Sequence, residues 1–533
     1  MGSTRDARRP ARLPWDLGNR DRRNRTGTKV QQMNDEPTAT APAGRSLIQG
    51  FPPSQKTFRL VLYDALASEA MGTLTTGVFL AGFAVELGAS NAAIGLLAAV
   101  PFAVQFLQLP GVILVERLRA RRAIVTSAAA IGRSFLIAAA SAPFFGARAG
   151  VITLIVTIAL YQALAAIAGC AWNSWMRDLV PEAEYGRFFG RRAAATTALA
   201  TVLALICALL IDGWKRLEPA HPAVAYSGLF ILSAAIGLGG VWLLSITPDQ
   251  PMPPPAGRIR LWNLLATPFR DRNFRQLIVF QASWNFAANL AAPFFVVYML
   301  KSLDYPMSII VVLTTASQLS NLAALGLWGN LIDRFSNKAV LEISAPLFLI
   351  CTLGWTFTGL AWVKPATFYL LLGLHMLMGI ATAGVALASG NIAMKLSPTG
   401  QATAYLAASS VVSATGAVIA PVIGGLCADF FAAHELSLAM TWKGGVDAVT
   451  VQVLDFHAWT FFFGLACLVG LYSLHRLSFV QETAGTTDPL LVRDLLFEAR
   501  RSIHSLSSAA GLLRIVRLPS WLTRPPSQNG SPS

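Results

Sequence analysis

About twelve apolar stretches of roughly 20 residues, the first at 59–86 and the last at 457–478, recur along the chain, and each is long enough to cross the ~30 Å hydrocarbon core of a bilayer as a helix. That pattern excludes a water-soluble globule. So does the composition: of 533 residues, 54% are hydrophobic and only 13% charged, with a mean hydropathy of +0.54. The net charge of +15 does not point to nucleic acid, because the bases lie in the tails and in short loops rather than on one face. Arg117 to Arg122, Arg177 to Arg192, Arg258 to Arg275, Arg334 to Lys338 and Lys395 alternate with loops that carry few bases, as the cytoplasmic preference of basic loops requires. A multi-pass protein of a bacterial inner membrane is expected, with both termini in the cytoplasm. The basic residues up to Arg25 are followed by polar Thr26 to Thr40 rather than by an apolar core, so the first membrane helix, not a cleaved signal, is expected to target the chain. Cys170, Cys207, Cys351, Cys427 and Cys467 stand singly in or beside apolar segments, and neither disulfides, a metal site nor a cofactor is expected.

The chain repeats itself. Gly329-Asn-Leu331-Ile-Asp333-Arg334-Phe-Ser336-Asn-Lys338 is a charged turn between two apolar runs. Glu116-Arg117, with bases up to Arg122, holds the same place in the first half, at an offset of 217 from Asp333-Arg334. Asn173-Ser-Trp-Met176-Arg177 and Asn391-Ile-Ala-Met394-Lys395 share the pattern Asn-x-x-Met-base at an offset of 218. Two landmarks at nearly one offset indicate a tandem repeat of one membrane unit. The fold class follows: an all-α membrane protein of about twelve transmembrane helices in two pseudo-symmetric six-helix bundles. The expected divisions are a disordered basic tail over 1–58, a first bundle over 59–246, a linker over 247–276, a second bundle over 277–478 and a tail over 479–533. Within the linker, Arg258-Ile-Arg-Leu-Trp262 reads as a surface segment, and from Asp488 the last tail reads as an interfacial amphipathic helix. The stretch from Asp429 to Phe456 reads as the longest external loop.

Twelve spans in two halves, with Gly329, Leu331, Asp333, Arg334 and Lys338 in the turn motif, resemble the major facilitator superfamily of secondary transporters. The resemblance implies that the motif lies in the cytoplasmic turn between the second and third helices of a half, where its charges latch one state of an alternating-access cycle. Val112 and Glu116 replace the usual glycine and aspartate in the first half, and Ser336 replaces a glycine in the second. The resemblance thus implies a latch of Glu116, Arg117, Arg177, Gly329, Asp333, Arg334 and Lys338. Span four contains Tyr161 and Gln162 but no arginine, which departs from the drug–proton antiporters of the family. The run from Trp172 to Arg192 is similar to a bacterial subgroup without an assigned substrate.

Charge inside lipid costs about 3 kcal/mol per group or more, so each instance is a functional lead. Glu69 lies ten residues past Arg59, about 15 Å into the membrane, and Arg133 lies eleven past Arg122, about 16 Å in. Their matched depths predict an ion pair, which either carries a coupling proton or locks helix one to helix three. Asp64, Ser68 and Gly72 advance by four along span one, and at the repeat offset of 217, Gln281, Asn285 and Asn289 repeat the stripe in span seven. The two stripes either line a midplane cavity or hydrogen-bond between helices. His375, near mid-membrane in span ten, is either a proton relay or a packed neutral side chain. Trp284 and Phe286 either stack on substrate or pack in the core. Arg177, Asp178, Arg187, Arg191 and Arg192 either exchange salt bridges during a cycle or simply anchor the cytoplasmic side.

The sequence contains no phosphate-cradling Gly-x-x-x-x-Gly-Lys-Ser/Thr and neither His-Glu-x-x-His nor Gly-x-Ser-x-Gly, so an enzyme or an ATP-driven pump has no support. The expected function is a secondary transporter of a small organic solute, proton-coupled through Glu69, monomeric, and in contact with membrane lipids. The alternative is a transporter-like sensor or assembly factor that acts through its tails and carries no flux.

Overall fold

Inside a bilayer a backbone has no water to bond to, so each apolar run satisfies its own N–H and C=O groups as a helix. A computed structural model describes residues 55–482 apart from 181, 250–266, 360–365, 399–401, 433, 435, 445–446 and 457. The first half comprises α1 (Gln55–Thr75), α2 (Gly77–Glu86), α3 (Asn91–Ala103), a 3-10 turn (Val104–Leu107), α4 (Gln108–Leu118), α5 (Arg121–Ala140), α6 (Ala147–Leu179), α7 (Glu182–Leu217) and α8 (Ala223–Ser245). The second comprises α9 (Arg272–Lys301), α10 (Met307–Arg334), α11 (Asn337–Gly354), α12 (Thr367–Lys395), α13 (Ala402–Ala432) and α14 (Ala458–Ser478). Among the described residues, ten helices are long and apolar enough to cross a membrane, and α3 with α4, bent by 44°, makes an eleventh. The pair α1 and α2, broken at Thr76, occupies the remaining expected span. The repeat extends to these breaks. The starts of α1 and α9, Gln55 and Arg272, are separated by the repeat offset, and so are Thr76 and Pro293, which lacks an N–H to continue the ladder of α9.

Several boundaries differ from expectation. Helix α1 begins at Gln55, inside the stretch expected to be tail. Ser336, in place of the motif glycine, caps α11 by accepting a hydrogen bond from the Ala339 amide at 3.1 Å. The loop expected from Asp429 to Phe456 is the end of α13 followed by an antiparallel hairpin, β1 (Leu436–Gly444) and β2 (Asp447–Phe456), with a register irregularity between Leu438 and Ala439. Alternation in Val449-Thr-Val451-Gln-Val453 carries that strand signal. The basic tail up to residue 54, the linker segment at 258–265 and the expected helix beyond Asp488 lie outside the described residues.

Packing differs between the two ends of the bundle. Away from the basic loops, one apolar core runs across both halves, from Phe83, Tyr226 and Phe230 to Phe294, Met307 and Phe462. Toward the basic loops it divides into separate cores, one around Val61, Trp175 and Leu244 and another around Phe274, Trp328 and Leu477. The far end is also clasped twice. Asp429 on α13 accepts hydrogen bonds from the amides of Asn91 and Ala92 at the start of α3, both at 2.9 Å. Asp212 on α7 does the same for Met307 and Ser308 at the start of α10, both at 2.8 Å. The two carboxylates are separated by the repeat offset, so this is one device used twice, each half holding a helix of the other. Charged hydrogen bonds contribute about 1.5–3 kcal/mol each, and a carboxylate at a helix N-terminus also meets the positive end of the helix dipole. Between α3 and α13 there is no room for side chains: a Cβ on Gly95 of α3 would lie 2.1 Å from the Pro421 carbonyl oxygen, and one on Gly425 would lie 2.4 Å from that of Asn91.

At the basic end, the ion pairs that hold the starts of α5 and α11 each stay within one half. Arg121 pairs with Asp178 at 2.5 Å and donates to the Ser174 carbonyl at 2.9 Å. In the second half the corresponding positions, Lys338 and Lys395, are both lysines, and the carboxylate comes from elsewhere. Glu482, just past α14, accepts from Lys395 Nζ at 2.8 Å, the Lys338 amide at 2.8 Å and Asn337 Nδ2 at 2.9 Å. Burial would raise the Glu482 pKa, but these donors outweigh it and hold the carboxyl below its ordinary range.

Two outcomes are expected. Replacing Asp212 or Asp429 by Ala opens the far end, so that spin labels at Leu217 and Ser302 gain a longer distance component; unchanged distances would show that the clasps hold nothing. Replacing Glu482 by Gln costs about 2 kcal/mol. Because the native pKa is depressed, this contribution is present near neutral pH and fades as pH falls through that pKa. The melting temperatures of the native and Glu482→Gln proteins therefore converge in acid, and a constant gap would refute the assignment.

Candidate functional site in the first half

The packed face of α1 carries Val61, Asp64, Ala65 and Met71, and two of its helical neighbours, α7 and α8, close over it. Asp64 is therefore drawn into the interior, 3% exposed, by the apolar residues around it. Arg133 of α5 is 7% exposed and reaches the same space. Its Nη2 donates to Ser68 Oγ at 3.0 Å, Ser68 donates on to Asp64 Oδ1 at 3.4 Å, and Nη1 donates to the Gly237 carbonyl of α8. Helix α8 makes room for the two charges with glycine. A Cβ on Gly240 would lie 3.0 Å from Arg133 Nη1 and 3.1 Å from Asp64 Oδ1.

Beside this relay lies a cavity of about 290 Å³ lined by Asp64, Ser68, Arg133, Tyr161, Trp172 and Arg192, with small and apolar residues completing its wall. Arg192, near the start of α7, holds its guanidinium 5.0 Å from the centre of the Trp172 ring, a cation–π contact. The cavity sits toward the basic end, since Trp172 is near the last turn of α6 and Leu244 near the end of α8.

Of the expected pathway residues, Asp64, Ser68 and Arg133 meet here. The Glu69–Arg133 pair does not form. Glu69 is exposed and its carboxylate makes no ion pair among the described residues, while Arg133 turns to Ser68 and Asp64. The span-seven stripe is largely self-satisfied. Gln281 is buried, donates to the Ser389 carbonyl at 3.0 Å and accepts from Ser409 Oγ. Asn285 and Asn289 each donate to the backbone carbonyl four residues earlier, both at 2.8 Å. His375 is buried with Nδ1 2.8 Å from the Leu371 carbonyl and its ring against Trp355, away from the cavity. Trp284 packs on Phe348 in the second-half core. The turn residues Glu116, Arg117, Arg177, Asp333 and Arg334 are exposed, with Arg334 over the Phe335 ring; Gly329 and Lys338 are half-buried. Sequence reasoning missed Trp172 as a wall, Arg192 as a cavity charge, and Asp212, Asp429 and Glu482 altogether. A signal existed for the clasps, because Asp212 and Asp429 share the repeat offset.

No curated protein matches the chain by sequence. Solved structures do share its fold. The nucleoside transporter NupG aligns with a TM-score of 0.59 at 13% identity over 80% of this chain and 100% of its own. A bacterial homologue of the iron transporter ferroportin, in an inward-facing state, aligns at 0.57 and 11% over 80% and 99%. A D-xylose–proton symporter aligns at 0.55 and 16% over 81% and 99%. The family model of the Major Facilitator Superfamily matches residues 65–313 and again 277–521, so the two matches between them span both halves of the repeat. The chain belongs to the Major Facilitator Superfamily and is a membrane transporter rather than an enzyme.

Proposed function

We propose that the protein moves a small organic solute by alternating access, driven by protons through Asp64, across a bacterial inner membrane with both termini in the cytoplasm. The observation that carries this reading is the cavity in which a buried carboxyl, a hydroxyl and two guanidiniums meet. A carboxyl that can give up its charge beside a fixed guanidinium lets one proton change how tightly two helices are held, and that difference between access states is what coupling requires. The bias of basic loops toward the cytoplasm supports placing their end there. The far-end clasps are made and the cores part toward the basic loops, which supports an inward-facing state like that of the ferroportin homologue. Glu116, Arg117, Arg177, Asp333 and Arg334, exposed in that state, latch the halves together when the cytoplasmic end closes. The site lies inside one half, so a monomer in lipid suffices. The D-xylose–proton symporter, which shares the fold, supports a proton drive.

The purified protein is first screened for ligands by thermal stabilisation at about pH 6 and about pH 8, where a ligand at a hundred times its dissociation constant adds about 2.7 kcal/mol. In proteoliposomes loaded with the resulting solute, Asp64→Asn is expected to lose uphill accumulation while keeping solute exchange, and Glu69→Gln to keep both. The reverse pattern would return coupling to Glu69. Stability gives an independent check on the pair. Arg133→Met leaves the buried Asp64 carboxyl without its partner and costs about 3 kcal/mol, most of which Asp64→Asn restores in the double variant. A double variant no more stable than Arg133→Met would refute the coupling.

A further inference from the structure

The repeat allows the two halves to be compared position by position. At the repeat offset, Asp64, Trp172 and Arg192 correspond to Gln281, Ser389 and Ser409. In the second half these three positions bond directly to one another, Gln281 giving a hydrogen bond to the Ser389 carbonyl and taking one from Ser409. In the first half they stand around open space. There a carboxylate stands at the amide's position, and an indole and a guanidinium stand at the positions of the two serines. Arg133 adds a second guanidinium.

The charges do not balance. Among the described residues lining the cavity, Arg133 and Arg192 supply two positive charges and Asp64 one negative, and the remaining ionisable group, Tyr161, is neutral near physiological pH. Arg133 is committed to Ser68 and the Gly237 carbonyl. Arg192 lies over the face of Trp172. The open space is therefore lined by one more positive than negative charge, which favours an anion in it.

From this asymmetry we infer that the transported solute is an organic anion, a carboxylate whose charged end pairs with Arg192 and whose apolar body lies along Trp172 and the alanine wall; the inference rests on the transport reading above. Guanidinium matches the two oxygens of a carboxylate. A volume of 290 Å³ is at the small end of ligand pockets, which run from about 300 to 1,000 Å³, so the solute is of metabolite size. Asp64 and the solute carboxylate share the same two guanidiniums. Protonating Asp64 releases positive charge to the solute, so anion and proton bind together, and affinity rises as pH falls. The groups that face Asp64 are Ser68 on its own helix, Arg133 from α5, Tyr161 from α6, Arg192 from α7 and the glycines of α8, and among them Asp64 is the carboxyl that titrates.

The test is thermal stabilisation of the full-length protein, in detergent, by matched sets of small molecules that differ only in the end group: benzoate and hexanoate, their amides, the corresponding amines, and phenyl phosphate. Stabilisation by the carboxylates is expected, stronger at about pH 6 than at about pH 8. Arg192→Met should weaken that binding about tenfold or more, and Asp64→Asn should keep it while removing its dependence on pH. Melting of the unliganded Arg192→Met protein near the native temperature confirms that the variant is folded; if it is not, Arg192→Lys replaces it and should likewise bind more weakly. Carboxylates that stabilise the Arg192 variants as well as the native protein would overturn the proposal. So would preference for amides, amines or phenyl phosphate, which would leave transport itself standing, and so would the absence of any carboxylate effect. Carboxylates that bind as expected but never cross a liposome membrane would instead overturn the transport reading and leave the anion site in place.

Discussion

The inter-half geometry depends on two carboxylates placed at the starts of two helices. Asp429 and Asp212 each accept two backbone amides that a helix leaves unpaired at its first turn. Because each half lends its carboxylate to the other, neither clasp can open alone without straining its twin. Together they contribute several kcal/mol, a scale that moves a two-state equilibrium by more than a hundredfold. The closed far end fixes where α3 meets α13, through Gly95 and Gly425, and the basic end is left to part into two cores. A device of this size is suited to switching. It is strong enough to define a state, yet weak enough to be outweighed by contacts made in another state.

Duplication gave the chain two copies of one scaffold, and the copies then divided the work. The structural positions stayed alike: the starts of α1 and α9, the backbone break at Thr76 and Pro293, and the clasping aspartates all keep the same offset. The interior polar positions diverged. Gln281 donates to the Ser389 carbonyl, accepts from Ser409, and so holds α9 to α12 and α13, whereas Asp64, Trp172 and Arg192 leave a cavity and a charge imbalance. The ion pairs at the basic end diverged too. Arg121 finds Asp178 in its own half, while Lys338 and Lys395 depend on Glu482 from beyond the last span.

The helices and their repeat were legible because apolar length and sequence offset are one-dimensional properties. Depth in the membrane was legible for the same reason, and it put an acid of span one at the level of Arg133. It chose the wrong acid. Asp64 and Glu69 differ by five positions, which is about 140° around a helix, and depth carries no information about azimuth. What settles azimuth is packing: Val61, Ala65 and Met71 turn Asp64 inward and Glu69 out. His375 and Trp284 were ambiguous from sequence because a buried polar or aromatic side chain serves function and packing with the same composition. Their partners, Leu371, Trp355 and Phe348, come from tertiary structure. Glu482 was invisible because it stands in a polar segment, where nothing in the local pattern distinguishes an anchored carboxylate from a solvated one.

The restriction of charge to one half has a physical reason. Each ionised group removed from water costs several kcal/mol unless it is paired and hydrogen-bonded, so a site that reproduced Asp64, Arg133 and Arg192 in both halves would double that cost. It would also set like charges facing each other whenever the halves approached. Keeping the second half neutral avoids both costs. Gln281 and Ser409 still offer polar groups at the matching depth, but they are already satisfied, so they add no demand for a counter-charge. The excess positive charge among the described residues lining the first-half cavity, beside the guanidinium that Arg192 holds against Trp172, is then the charge that the proposed solute would meet.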